Sequence, residues 1–158
     1  MASPDHPYLG RPETLSHLGF GLVRPFRRDG RSDFVAKSDE ELVRACVGQV
    51  LGTSCSNDAG TVQGELPWRS DFGSLLQLLR HRNFADPATQ QLARVYVAQA
   101  IQRWEPRVVV KRVAVSSEDV PGGLAMVIKM NYSILAGSSL NQVFVPDVAQ
   151  VVYVPVAA

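Results

Sequence analysis

The sequence is poor in the residues that metal and redox chemistry use. It has two cysteines and three histidines in 158 residues. Cys46 and Cys55 stand apart from each other with no C-x-x-C around them, and His6, His17 and His81 are scattered. No zinc ligand spacing and no H-E-x-x-H pattern results, so a metal role is not expected. Nothing points to a disulfide scaffold, although a Cys46–Cys55 bridge stays open. Charge of one sign is missing as well. Lys and Arg number 16 against 15 Asp and Glu, a formal net charge of +1. No global field draws in nucleic acid or an anionic membrane. No apolar run approaches the roughly 18 residues of a membrane span. Met1 to Arg11 carries Pro, Asp and His where a signal peptide needs an apolar stretch. The cytoplasm is the expected place at synthesis. Catalytic signatures are lacking too: there is no G-x-S-x-G elbow, and Gly19, Gly21, Gly122 and Gly123 fit no phosphate loop.

What is present is an ordinary globular composition, 46% apolar and 20% charged. The length suits one domain with short tails. Pro4, Pro7, Gly10 and Pro12 make residues 1–17 a flexible arm. Residues 18–27 read as a short extended segment anchored by Phe20, Leu22 and Phe26, followed by a charged turn over Arg27 to Arg31. Ser38 with Glu41 three residues later reads as a capping box opening a helix. Leu42, Cys46, Val50 and Val43, Val47, Leu51 form its apolar stripe, and Gly52 ends it. Residues 53–64 are a Ser/Asn/Asp/Gly loop, long enough to suggest mobility. A short helix with Leu75, Leu78 and Leu79 inward follows, with Arg80 and Arg82 outward. Asp86-Pro87 opens another helix, and its wide apolar face predicts deep burial.

From Arg107 the periodicity changes from helical to alternating. Val108–Val110 and Val113–Val115 are β-branched and predict a strand. Pro121-Gly122-Gly123 is a turn. Leu124, Met126, Ile128, Met130, Tyr132 and Ile134 then share one face, with Lys129, Asn131 and Ser133 on the other. Val143–Val145 and Val151–Val156 are further short strand candidates. The order predicts an α+β fold: about three N-terminal helices packed on a small antiparallel sheet made by a C-terminal hairpin or meander. The arm spans 1–17, the domain 18–146 and a C-terminal extension 147–158.

Two clusters carry interaction chemistry. Arg24, Arg27, Arg28 and Arg31, and separately Arg80, His81 and Arg82, are basic but diluted by aspartates. They suit a solvated face or a protein contact better than a nucleic-acid groove. Trp104-Glu105-Pro106-Arg107 puts opposite charges on either side of a proline where helix passes to strand. Glu105 and Arg107 either satisfy the chain's own groups at that corner or offer them to a partner. Glu65, Asp71 and Glu105 are the carboxylates an acid/base enzyme would need, but nothing in the sequence separates their roles.

These residues carry a resemblance. Glu105-Pro106-Arg107 after an apolar helix resembles the Glu-Pro-Arg motif of the baseplate sheath-initiator family, the lysozyme-like baseplate wedge proteins of contractile phage tails, type VI secretion and extracellular contractile injection systems. Arg69-Ser70-Asp71-Phe72-Gly73 is similar to that family's Arg-Pro-Asp-Phe-Gly turn, with Ser70 in place of proline. Ser38–Leu51 resembles its first helix, Ile128–Leu135 its hairpin strand and Asn141–Pro146 its final segment. Leu66 departs from the arginine usual before the turn, and the loop 53–63 is longer than in the family.

The resemblance implies a non-enzymatic structural protein with no cofactor, present in several copies in a six-fold baseplate. Its implied partners are the sheath subunit, baseplate wedge proteins and inner tube or hub proteins, with no nucleic acid and no membrane. It implies baseplate docking through Glu105, Pro106, Arg107, Arg69, Asp71 and Phe72. Sheath strands would add to the sheet at Val127, Lys129, Asn131 and Ser133, by backbone pairing. The rival expectations are a lysozyme-like peptidoglycan hydrolase and a generic interaction adaptor.

Overall fold

A computed structural model describes residues 18, 20–22, 27–57, 59–60, 62–121, 123–135 and 143–155. The arm 1–17, Phe26 and the turn 137–139 lie outside the described residues. The chain runs β1 (Phe20–Leu22), β2 (Ala36–Ser38), α1 (Asp39–Gly52), a 3₁₀ helix (Leu76–Leu79), α2 (Pro87–Trp104), β3 (Val108–Val120), β4 (Gly123–Leu135) and β5 (Val143–Pro155). The α+β class stands, but the described residues hold two α-helices and a single 3₁₀ turn rather than three helices, and two antiparallel sheets rather than one.

The small sheet pairs β1 with β2, Leu22 opposite Ala36. Leu22 is 53% exposed and anchors nothing; Leu18, just before it, is buried instead. Helix α1 buries Leu42, Val43, Val47, Val50 and Leu51, as the stripe predicts. Its start differs from the expected capping box. Ser38 Oγ donates to Asp39 Oδ2 at 2.9 Å and makes no cap hydrogen bond. In the 3₁₀ helix Leu76 and Leu79 are buried, not Leu75 and Leu78. Leu79 is inward as expected, and its partner one 3₁₀ turn earlier is Leu76, the residue that three residues per turn places on the same side.

Asp86 caps α2 by accepting from Ala88 N at 3.2 Å and Thr89 N at 3.3 Å, with Pro87 in the first turn. The buried positions are Thr89, Ala93, Val97, Ala100 and Ile101, one stripe of the helix. Val95 is exposed, so α2 lies over the core with one side in solvent rather than deep inside it.

The main sheet has the order β3-β4-β5, all antiparallel. The hairpin closes at Val120 opposite Gly123, whose φ of 126° is open to glycine at little cost. A bulge interrupts β3 between Val110 and Arg112. Met126, Ile128, Met130, Tyr132 and Ile134 turn toward the helices and join Val43, Val47, Val97 and Ile101 in one core. On the opposite face Ala125, Val127 and Ser133 are also buried, beyond the half-burial that alternation predicts. Val127 sits between Ser116 of β3 and Tyr153 of β5, and such cross-strand neighbours cover a small side chain from both sides. Strand β5 runs through residue 146, so 147–155 is part of the sheet and not an extension beyond it.

Candidate docking sites

The junction from α2 to β3 is tied by backbone first. Glu105 N donates to Ile101 O at 2.8 Å, ending the helix, and Val108 N donates to Glu105 O at 3.1 Å, starting the strand. Leu135 N donates to Arg107 O at 2.8 Å, which fixes the corner to β4. Pro106 between them has no N–H to place, and its fixed φ suits a tight exit.

The side chains then close on each other. Arg107 donates from Nε to Glu105 Oε1 at 2.5 Å and from Nη2 to Oε2 at 2.6 Å, the two-pronged pairing that guanidinium and carboxylate geometry favours. Its Nη1 donates to Leu18 O at 2.6 Å, stitching the start of the chain to this corner. Glu105 is 3% exposed, and Arg107's side chain keeps 27% of its surface. The hydrogen bonds to Glu105 push the Arg107 pKa up, against the desolvation that pulls it down. Cys46 of α1 also meets this pair. Burial raises its thiol pKa first, the Glu105 charge raises it further, and a hydrogen bond with Arg107 works the other way. Within the chain the two groups satisfy each other, with both oxygens of the buried Glu105 engaged by Arg107, and Arg107 is turned to Glu105 and Leu18 O rather than to the last carbonyls of α2.

The Arg69–Gly73 turn is built from the opposite side. Gly73 has φ of 115°, and a Cβ there would stand 2.3 Å from Thr53 O. Only glycine fits that approach. Ser74 N donates to Thr53 O at 2.9 Å, Cys55 N to Ser74 O at 3.1 Å and Ser56 N to Ser70 O at 2.7 Å. Ser74 Oγ adds a bond to Leu51 O at 2.9 Å. The described part of the long 53–64 loop is thus laced to the turn rather than loose. Cys46 and Cys55 are both free thiols, so the open question of a bridge closes against it.

Trp104, the last residue of α2, brings the two motifs together. Phe72 packs on it with ring centroids 5.1 Å apart, tilted by 58°. The guanidinium of Arg69 lies 4.7 Å from its ring centre and that of Arg103 4.9 Å, both in cation–π range. Arg103 Nη2 also donates to Asp71 Oδ2 at 2.7 Å. A cavity of about 100 Å³ opens beside them, lined by Cys55, Asp71, Tyr96, Arg103 and Trp104 among others. Arg69, Asp71 and Phe72 therefore form one surface with the residue next to Glu105. The sequence reading missed Arg103. Its one local signal was a basic residue in the last turn of a helix ending in Trp.

The residues expected to receive sheath strands are placed elsewhere and do not serve that use. Val127, Lys129, Asn131 and Ser133 all lie on β4, the central strand, paired with β3 on one flank and β5 on the other. An added strand needs free N–H and C=O groups, and β4 has spent both sets within the sheet. Lys129 pairs with Glu118 of β3 at 3.0 Å.

The three carboxylates weighed for catalysis have separate partners. Glu65 Oε2 accepts from Ser54 N at 3.0 Å, Asp71 holds Arg103 and Glu105 holds Arg107. Among the described residues no group of three or more His, Cys, Asp or Glu gathers as metal ligands, and no helix is long and apolar enough to cross a membrane.

Comparison with known proteins agrees with the motifs. Several solved chains share the fold, and two of them serve as examples. One is a cryo-EM structure of the anti-feeding prophage baseplate, six-fold symmetrised, with a TM-score of 0.57 and 19% identity, covering 72% of this chain and 84% of that one. The other is the 1.44 Å crystal structure of a "putative tail lysozyme" from Geobacter sulfurreducens, with a TM-score of 0.51 and 26% identity, covering 80% of this chain and all of that one. Among curated proteins none matches. The family model of baseplate wedge protein gp25 matches residues 37–136, from β2 through α1, the laced turn, α2 and the β3–β4 hairpin, and so this chain belongs to the baseplate wedge protein gp25 family.

Proposed function

We propose that this baseplate protein is a structural, non-enzymatic starter for the contractile sheath, and that it receives a strand of the sheath subunit on the outer edge of β3. The observation that carries this reading is the difference between the sheet's two outer strands. Strand β5 contains Pro146 and Pro155, which lack the N–H an added strand would use. Arg44 of α1 also donates to the Ala149 carbonyl of β5 at 2.7 Å. Strand β3 is equally long and has no proline. Among the described strands it pairs with β4 alone. Its outer N–H and C=O groups form a template for an extended segment. Docking to the baseplate falls to the Trp104 surface, where Arg69, Asp71, Phe72 and Arg103 are reachable, together with the exposed Pro106. The engagement of Glu65, Asp71 and Glu105 by separate partners supports a structural role over a hydrolase.

The test is co-sedimentation with the sheath subunit, using Ser116→Pro and Ser117→Pro. Successive residues of an antiparallel strand point their N–H groups to opposite flanks. One of the two prolines therefore cuts the hairpin, and the other blocks only the edge. Thermal melts followed by circular dichroism tell which is which. The variant that keeps its melting temperature is expected to lose sheath binding. If it binds like wild type, the β3 edge is not the acceptor.

A further inference from the structure

The open edge of β3 has a charge pattern that fits itself. Beyond the bulge its sequence is Arg112-Val113-Ala114-Val115-Ser116-Ser117-Glu118, in one-to-one register with β4. Arg112, Ala114, Ser116 and Glu118 stand opposite Asn131, Lys129, Val127 and Ala125, so all four share the face turned away from the helices. A cation begins the segment, an anion ends it, and only small side chains lie between them on that face. Lys111 before it and Asp119 after it repeat the same signs.

We propose that β3 pairs with β3 of a second copy of this chain, antiparallel, about a two-fold axis at Val115. That register sets Arg112 of each copy opposite Glu118 of the other, and Ala114 opposite Ser116. Two three-stranded sheets become one continuous sheet, and neither copy leaves β3 open. Antiparallel ladders admit a two-fold axis at either kind of residue pair, so the backbone permits this register whichever flank Val115 faces. The charges select it. Opposite charges directly across a ladder attract, whereas a parallel, in-register pairing sets Arg112 on Arg112 and Glu118 on Glu118. The interface is isologous, as a closed dimer requires. Arg112 is exposed and has no ion pair among the described residues. Glu118 holds Lys129 at 3.0 Å with 42% of its side chain in solvent, and a carboxylate accepts from two cations at once. The other outer strand does not compete, because prolines and Arg44 occupy β5. The dimer needs only the open edge of β3 and stands apart from the sheath reading. In an assembling particle the second copy would be the strand that a sheath subunit displaces.

Sedimentation velocity of the full chain over a micromolar dilution series tests this. The expected result is a monomer–dimer equilibrium, weakened about tenfold by Arg112→Glu and likewise by Glu118→Arg. An equimolar mixture of the two variants restores both opposite-charge pairs and is expected to recover the wild-type dimer as a heterodimer. Glu118→Arg also faces Lys129, so circular dichroism must show it folded. If it is not, Ala114→Cys and Ser116→Cys chains, mixed and mildly oxidised, report the same register by a disulfide between unlike chains. A monomer at every concentration, a dimer indifferent to both charge variants, or a mixture no tighter than its parts overturns the proposal. A monomer that still binds sheath sinks the dimer alone; a dimer that binds no sheath sinks the sheath reading alone.

Discussion

The two ends of the α2–β3 junction hold the same chemistry in different settings. On one side Glu105, buried, and Arg107, half-buried, are two residues apart in sequence and joined by two bonds of 2.5 and 2.6 Å. On the other side Asp71 and Arg103 meet at 2.7 Å with 49% and 61% of their side chains in solvent. Distance does not separate these pairs; burial does. In water an ion pair replaces hydration that was nearly as good, and it contributes little. In the interior each charge has lost its water and depends on the other. Removing one partner therefore costs more at the Glu-Pro-Arg corner, while the Arg-x-Asp-Phe-Gly turn with Trp104 is the more solvent-accessible of the two.

The largest break in this contrast comes from Arg107→Ala. It leaves a carboxylate buried with no cation and releases Leu18 O. A loss of about 3 kcal/mol in urea unfolding is expected. A loss below about 1 kcal/mol would place Arg107 among the weak surface pairs.

A second experiment sharpens the buried side through pH. Tyr132 is fully buried beneath α1 and donates to Gln150 Oε1 at 2.8 Å. Burial pushes its pKa from 10.0 to about 12; Arg44 lowers it, and Glu40 and Glu105 add to the rise. The folded chain keeps this proton at a pH where the unfolded chain has lost it. Tyr132's contribution is thus complete below pH 10 and is lost as pH rises from 10 toward about 12, on the order of 2 kcal/mol in all. Tyr132→Phe is expected to flatten that alkaline limb of the melting-temperature profile. An unchanged slope would assign the limb to other groups, Cys46 first among them.

The smallest effect belongs to Asp71→Asn. Its stability change is expected within about 0.5 kcal/mol, because the pair with Arg103 is solvated and Arg103 keeps its place over Trp104. The readout that should move is capture by baseplate components in a pull-down. A large loss of stability here would erase the distinction between the two corners.

Much of the fold was legible. The apolar stripe of α1, the Asp86 cap of α2 and the alternation of β4 come from local spacing, and local spacing is what a sequence displays directly. The misreadings have separate causes. In the run Leu75-Leu76-Gln77-Leu78-Leu79 four leucines crowd five positions, and local spacing does not choose which side faces the core. The extension after 146 looked separate because prolines read as strand breakers, yet an edge strand tolerates them. Val127, Lys129, Asn131 and Ser133 were expected to accept a strand because the family resemblance implied it, but they lie on the central strand. Face and edge are different directions, and only pairing partners reveal an edge.

The sequence by itself determined where the two α-helices and the long β4 strand lie, that Asp86 caps α2, and that opposite charges flank Pro106. Those follow from covalent geometry, capping and periodicity, all short-range in the chain. Tertiary structure alone decided that Glu105 is buried while Asp71 is wet, that Trp104 joins motifs more than thirty residues apart, and that β3 rather than β4 is an open edge. Burial and strand order depend on which distant segments fold back beside each residue, and no local pattern carries that information.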